Sequence, residues 1–148
     1  MSRLLAVSSG GGHWVELLRL APAFEGHDVA FVTVDGAYAS QVPGRRLYVV
    51  PEVTRWDRWR LLEALAKLLV ILLRERPQVV ISTGALPGYF AVRLGRLLGA
   101  RTVWLDSIAN VEELSMSGSR VGPYADLWLT QWPHLARPGG PLYRGPVL

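Results

Sequence analysis

Nine residues near the amino end, SSGGGHWVE (8–16), combine two chemically suggestive features: three consecutive glycines and a histidine directly after them. An apolar run, LLAV (4–7), leads in, and a helical pattern, WVELLRL (14–20), leads out. Glycines at a strand-to-helix turn let a ligand come close to backbone N–H groups, and the helix dipole there favours negative charge, as in a phosphate. Histidine is the side-chain type best suited to proton transfer near neutral pH. Gly10, Gly11 and Gly12 therefore read as a phosphate cradle, with His13 as a base or a phosphate contact. A plainer reading is a tight turn that needs glycine for positive φ, with His13 as a cap or surface residue and Glu16 pairing back to the first turn. The spacing fits neither familiar nucleotide motif. Gly10 and Gly12 suit G-x-G-x-x-G but Val15 takes the third position, and no lysine follows as in a Walker loop. Asp35, at the end of the second expected strand, keeps a ribose-holding, nucleotide-binding reading open.

A second strand-end turn stands in ISTGALPGYFAV (81–92). Taken alone, Gly84 and Gly88 would be packing glycines. On a strand adjacent to the first turn, they would line the same crevice. A third stretch, 104–135, follows a strand with a run of small and polar residues and reads as a loop on that same sheet edge.

These stretches need a framework. The chain has 148 residues, half of them hydrophobic and 19% charged, which suits one globular domain spanning 1–148. Strands are expected at 3–8, 28–34, 46–50, 78–82, 101–106 and 127–131. Helices are expected from His13 to about Leu20, from Asp57 to Glu75 and from Gly88 to Leu98. Continuous apolar strands separated by helices argue for a parallel sheet covered on both faces, so the fold class is α/β, a single Rossmann-like domain with a mainly parallel sheet. The chain has no cysteine, which excludes disulfides and thiol chemistry. His13, His27 and His134 lack metal-ligand spacing, so no metal is expected. A formal charge of +4 points to an anionic partner: nucleic acid, acidic lipid or phosphate. No signal peptide is expected, because residues 1–3 run directly into a strand.

The segment RWDRWRLLEALAKLLVILLRER (55–76) stands out by its circumference. It carries six basic residues against three acidic ones, a balance of +3. On a helix, Arg60, Glu63, Lys67 and Arg74 form one polar stripe and the rest is apolar, wider than a core-facing side requires. Trp56, Arg58, Trp59 and Arg60 at its start suit a membrane interface. The alternative is a helix buried against a partner or the chain's own loops.

SIANVEELSMSG (107–118), YADLWLTQWPHL (124–135) and LYRGPVL (142–148), together with SSGGGHWVE and ISTG in the right order, resemble one family. It is the membrane-anchoring, acceptor-binding subunit of the two-subunit N-acetylglucosaminyltransferase acting on dolichol-diphosphate sugars, with its bacterial exopolysaccharide counterparts. The resemblance covers almost the whole chain. More distantly, the Gly-Gly-His turn resembles the lipid II-forming N-acetylglucosaminyltransferase. It implies the N-terminal half of a GT-B fold, with an inverting, UDP-sugar-dependent hexosyltransferase completed by a separately encoded donor-binding subunit. The acceptor would be a polyprenyl-diphosphate-linked saccharide. The resemblance implies no cofactor and no nucleic acid, and a peripheral place on the cytoplasmic face of the cell membrane.

By position, Gly10, Gly11, Gly12 and His13 would face the acceptor diphosphate and reacting hydroxyl, and Glu16 would support their loop. Gly84, Ser107, Asn110, Glu112, Ser117, Gly118 and Arg120 would shape the acceptor side. Gln131, Trp132, Pro133, Tyr143 and Gly145 would meet the partner. Asp106 stands where relatives usually have Glu and Asn110 where they often have Arg, which would report a different acceptor sugar. Asp106 is also an alternative base. A non-catalytic scaffold that recruits a transferase to the membrane is the rival reading.

Overall fold

Apolar residues on both faces of short β-branched runs require helices above and below, and the chain supplies them. The computed structural model describes residues 2–53 and 57–147. Strands β1 (Arg3–Val7), β2 (Asp28–Thr33), β3 (Arg46–Val49), β4 (Val79–Ser82), β5 (Arg101–Leu105), β6 (Leu127–Thr130) and β7 (Leu142–Tyr143) form one sheet in the order β3-β2-β1-β4-β5-β6-β7. Every pairing is parallel. The helices are α1 (Gly12–Arg19), α2 (Arg58–Glu75), α3 (Ala85–Leu97) and α4 (Met116–Arg120). The expected single Rossmann-like domain is what the chain adopts.

Three elements differ from the sequence expectation. β7 has two residues, too few to show a pattern. Helix α3 begins at Ala85, three residues before Gly88, because Pro87 is tolerated in a first turn whose N–H groups have no helical acceptor. Helix α4 is nucleated by Ser115, whose hydroxyl accepts from the Gly118 N–H at 2.9 Å, and its small-residue sequence carries no apolar period. Pro22 acts as expected: α1 stops at Arg19, and a 3-10 turn follows at Ala21–Phe24.

The register divides the core in two. Leu5, Val7, Val32, Val80 and Trp104 face α2 and α3, where Leu68, Ile71, Leu72, Ala91 and Val92 complete a buried cluster. The opposite face packs Ala6, Val29 and Phe31 against Trp14 and Leu17 of α1 and against Phe24. Along that second face the row Phe31–Ala6–Ile81–Val103–Leu127 is in register. Burial decays along it: Phe31 and Ala6 are buried, Ile81 and Val103 half-buried, Leu127 exposed. The row Leu105–Leu129–Leu142 behaves alike, from buried to exposed. Helix α1 is only eight residues long and cannot cover this side of β4–β7.

Helix α2 buries Ala64, Leu68, Ile71 and Leu72. Its opposite side shows Trp59, 83% exposed, with Leu62, Leu69, Val70 and Leu73 also in solvent. At about 100° per residue these span an arc of roughly 100°, bordered by the stripe Arg60, Glu63, Lys67 and Arg74. Arg58 is exposed near the edge of this surface. Trp56, the remaining residue expected to meet a membrane, lies outside the described residues. Among the described residues no helix is long and apolar enough to cross a membrane.

Candidate functional site

In a parallel sheet the loops at the carboxyl edge converge, and here those after β1, β4 and β5 do so over the three central strands. Gly11 caps α1 with φ at 65°, without any side-chain cap, so His13 is not a capping residue. The Gly11 N–H donates to the Tyr38 hydroxyl at 3.0 Å. Tyr38 stacks on Trp14, ring centroids 4.8 Å apart, and a Cβ on Gly10 would meet its hydroxyl at 3.1 Å. Gly10 thus makes room for Tyr38, and the Gly11 amide is already engaged. The first-turn amides of Gly12, His13 and Trp14 have no acceptor among the described residues. They are the donors left for an anion.

His13 joins this turn to the one after β4. Its Nδ1 lies 3.1 Å from the Thr83 carbonyl oxygen, and the Thr83 hydroxyl donates to the His13 carbonyl at 2.6 Å. A carbonyl only accepts, so Nδ1 carries the hydrogen in this contact, and in the neutral ring Nε2 holds the lone pair. A Cβ on Gly84 would stand 2.5 Å from Nδ1 and 2.7 Å from Cε1. Gly84 is therefore the seat of the imidazole ring, and the two glycine turns form one interlocked unit.

Glu16 reaches across to the third loop instead of back to its own helix end. Its Oε1 accepts from the Ile108 N–H at 2.8 Å and from Gln131 Nε2 at 3.0 Å. The other oxygen, Oε2, is buried with no hydrogen-bond partner among the described residues. Gln131 Nε2 also donates to the Asp106 carbonyl at 3.0 Å, and its Oε1 accepts from the Val147 N–H at 2.7 Å. Gln131 is buried, so it offers no surface for the partner contact expected of it.

Asp106 organises the loop after β5. Its Oδ1 accepts from Trp104 Nε1 at 3.2 Å and from the Ser115 hydroxyl at 2.6 Å. Its Oδ2 accepts from Asn110 Nδ2 at 3.2 Å and from the Ser115 N–H at 3.0 Å. With both oxygens engaged and the residue buried, Asp106 is a structural hub and not the alternative base. Asn110 and Asp106 touch each other, so these two positions are one packed pair. Gly118 leaves room for this carboxylate: a Cβ there would fall 2.2 Å from Oδ1.

Ser107 is half-buried, its hydroxyl accepting from the Ala109 N–H at 3.2 Å. Ser117 is half-buried and Arg120 exposed on α4. Glu112 lines a separate groove of about 560 Å³ with Glu113, His134 and Arg137. Trp132 turns inward, its indole N–H donating to the Ile108 carbonyl at 2.7 Å. Pro133 is exposed, and Tyr143 and Gly145 are half-buried near the chain's end. Asp35 accepts from the Ala37 N–H at 2.9 Å and so caps a 3-10 turn, Gly36–Gln41. Tyr38 and Thr83 were not legible as site residues, since their partners, Gly11 and His13, lie 27 and 70 residues away in sequence.

A family model described as "Oligosaccharide biosynthesis protein Alg14 like" matches residues 57–141, more than half of the chain. The UDP-N-acetylglucosamine transferase subunit ALG14 of Yarrowia lipolytica is 32% identical over 69 residues, covering 43% of this chain and 32% of that protein. The subunit alg14 of Schizosaccharomyces pombe is 37% identical over 67 residues, covering 40% and 31%. The matched segments thus span about a third of the curated relatives. Among solved structures, Acinetobacter baumannii MurG superposes with a TM-score of 0.80 at 12% identity, covering 97% of this chain and 45% of MurG. A UDP-GlcNAc 2-epimerase from Methanocaldococcus jannaschii gives 0.63 at 14% identity over 86% of this chain and 39% of its own. The shared architecture is the N-terminal half of the GT-B fold.

Proposed function

The chain belongs to the Alg14-like family of oligosaccharide biosynthesis proteins, and on that premise we propose that it is the acceptor-binding half of a two-chain glycosyltransferase. In this reading a polyprenyl-diphosphate-linked saccharide lies over the carboxyl edge of the sheet. The observation that carries it is the seating of His13 on Gly84 with Nδ1 committed to the Thr83 carbonyl. That contact leaves Nε2 to take the proton of the acceptor hydroxyl as its oxygen attacks the anomeric carbon of a UDP-sugar, with inversion and loss of UDP. The free amides at the start of α1 would hold the acceptor diphosphate. Glu16 fixes the distance between that turn and the loop after β5.

The donor would come from a separately encoded subunit. The half-covered face of β4–β7 supports this, since rows that pass from buried to exposed leucines suit a neighbouring protein surface. Trp132, Pro133, Tyr143 and Gly145, in and around the last two strands, would meet the partner. The exposed arc of α2 supports attachment to a membrane, with its leucines and Trp59 in the headgroup boundary; in this reading the face is the cytoplasmic one. No cofactor is needed for such a transfer.

The test is reconstitution. The chain is co-purified with a short donor-binding chain and assayed over a panel of UDP-sugars and lipid-diphosphate acceptors. Transfer by the pair, with little by either chain alone, is expected. In the complex, His13→Ala should lower turnover more than acceptor affinity. Unchanged turnover in that variant would leave the chain as a scaffold.

A further inference from the structure

We infer that the groove at the amino edge of the sheet is a binding site for the phosphate of an anionic membrane lipid. This rests on the membrane reading of α2 and extends it to the opposite edge from the catalytic loops. The groove holds about 650 Å³ between the ends of α2 and α3. Arg3, Arg76 and Arg101 line it, and no carboxylate does. None of the three makes an ion pair among the described residues, whereas Arg46, Arg60 and Arg96 all do. Three guanidinium groups without a carboxylate around one concavity repel one another unless an anion joins them, and phosphate oxygens match their geometry.

The rim identifies the source of that anion. Leu73 and Leu98 line the groove, and Leu97 beside them is 81% exposed. Leu73 also belongs to the exposed apolar arc of α2. Helix α2 has 18 residues, so it is about 27 Å long and lying flat it brings Trp59 at one end and this groove at the other to the same surface. Leucines at the mouth with arginines behind them suit acyl chains below a headgroup phosphate. A free phosphate would need the arginines but not the leucines.

Arg76 provides a clean test. It ends α2 in the left-handed conformation, φ 46°, where glycine is the usual occupant. Arg76→Gly therefore removes the guanidinium and keeps the helix end. Arg3 is left in place, because its Nε donates to the Arg76 carbonyl at 2.9 Å.

The experiment compares Arg76→Gly/Arg101→Gln with Arg45→Gln/Arg137→Gln, which removes the same charge elsewhere. Both are tested against phosphatidylcholine vesicles with and without phosphatidylglycerol, after thermal melts show that each pair folds. The groove pair should lose on the order of tenfold or more of its partition to the anionic vesicles, and the control pair clearly less. Equal losses in the two pairs, with the wild type still bound, would overturn the groove site while leaving the membrane reading of α2 standing. A wild type indifferent to both vesicle types would overturn the membrane reading and this inference with it. Inorganic phosphate, titrated by NMR, supplies the other source. If the groove pair loses phosphate-induced shifts but keeps its vesicle partition, the ligand is a free anion and the lipid assignment fails.

Discussion

The two edges of one parallel sheet treat charge in opposite ways. At the carboxyl edge, buried carboxylates are held by named donors: Asp106 by four hydrogen bonds and Glu16 by two through one oxygen. The groove beside the first turn, about 470 Å³, is lined by Asp35 and Glu52 and by no basic side chain among the described residues. At the amino edge three arginines share a groove with no carboxylate. The difference is one between position and attraction. A reacting group must sit within a few tenths of an ångström, which fixed short networks provide. A surface contact needs only net attraction, for which loose charges on long side chains suffice.

That contrast can be broken most severely at the ring seat. Gly84→Val drives a side chain into the His13 imidazole, and His13→Ala removes it. Each is expected to lower turnover of the reconstituted complex by about 10²- to 10⁴-fold, the usual contribution of a positioned base. A melt within a few degrees of wild type for His13→Ala would show that the loss is chemical. Retained turnover in both would break the claim that this edge is built for position.

Next comes the hub. Asp106→Ala leaves the Ser115 and Asn110 donors and the Trp104 indole without their acceptor in a buried place. Stability should fall by about 3 kcal/mol, read from the urea midpoint at unchanged slope. A change near zero would mean that water replaces the carboxylate and that the loop after β5 is not fixed by it.

The exposed side of α2 should behave in the opposite sense. Trp59→Ser with Leu62→Ser and Leu73→Ser removes groups already in solvent, so stability should move by no more than about 0.5 kcal/mol per site while vesicle binding is lost. A large drop in the thermal midpoint would show that these side chains pack within the protein.

The smallest effect sharpens the comparison at a structural ion pair. Asp126 accepts from the Thr102 N–H at 2.8 Å and from Arg96 at 2.7 Å, and these contacts hold its carboxyl below the ordinary range, the Thr102 amide most of all. Its folded-state pKa is depressed, so its stabilisation is present above the ordinary carboxylate pKa and lost as pH falls through the depressed value. Asp126→Asn should flatten the acid limb of the stability curve by a few tenths of a kcal/mol at most, because the pair is exposed. An unchanged acid limb would assign that limb to other carboxylates.

The strands and the chemistry-bearing turns were legible because apolar β-branched runs and glycine clusters leave local marks. All six expected strands stand within a residue or two of where the pattern put them. The reasons for the glycines were not legible. Gly84, Gly10 and Gly118 each make room for a side chain far away in sequence, His13, Tyr38 and Asp106, and no local pattern announces such a neighbour. Glu16 looked like a capping residue because it stands three positions after His13, yet its partners, Ile108 and Gln131, lie far along the chain. Helix α4 and β7 were missed for a simpler reason: five and two residues are too short for a period to register.

The contact between Asp106 and Asn110 makes exchanges at these positions a matter of pairs. A longer acid at 106 would press on Gly118, and a longer base at 110 would find its acceptor too close. Each single exchange disturbs the same contact, so the two costs are expected not to add. A library that varies the loop one residue at a time would score both as intolerant and miss that they share one contact.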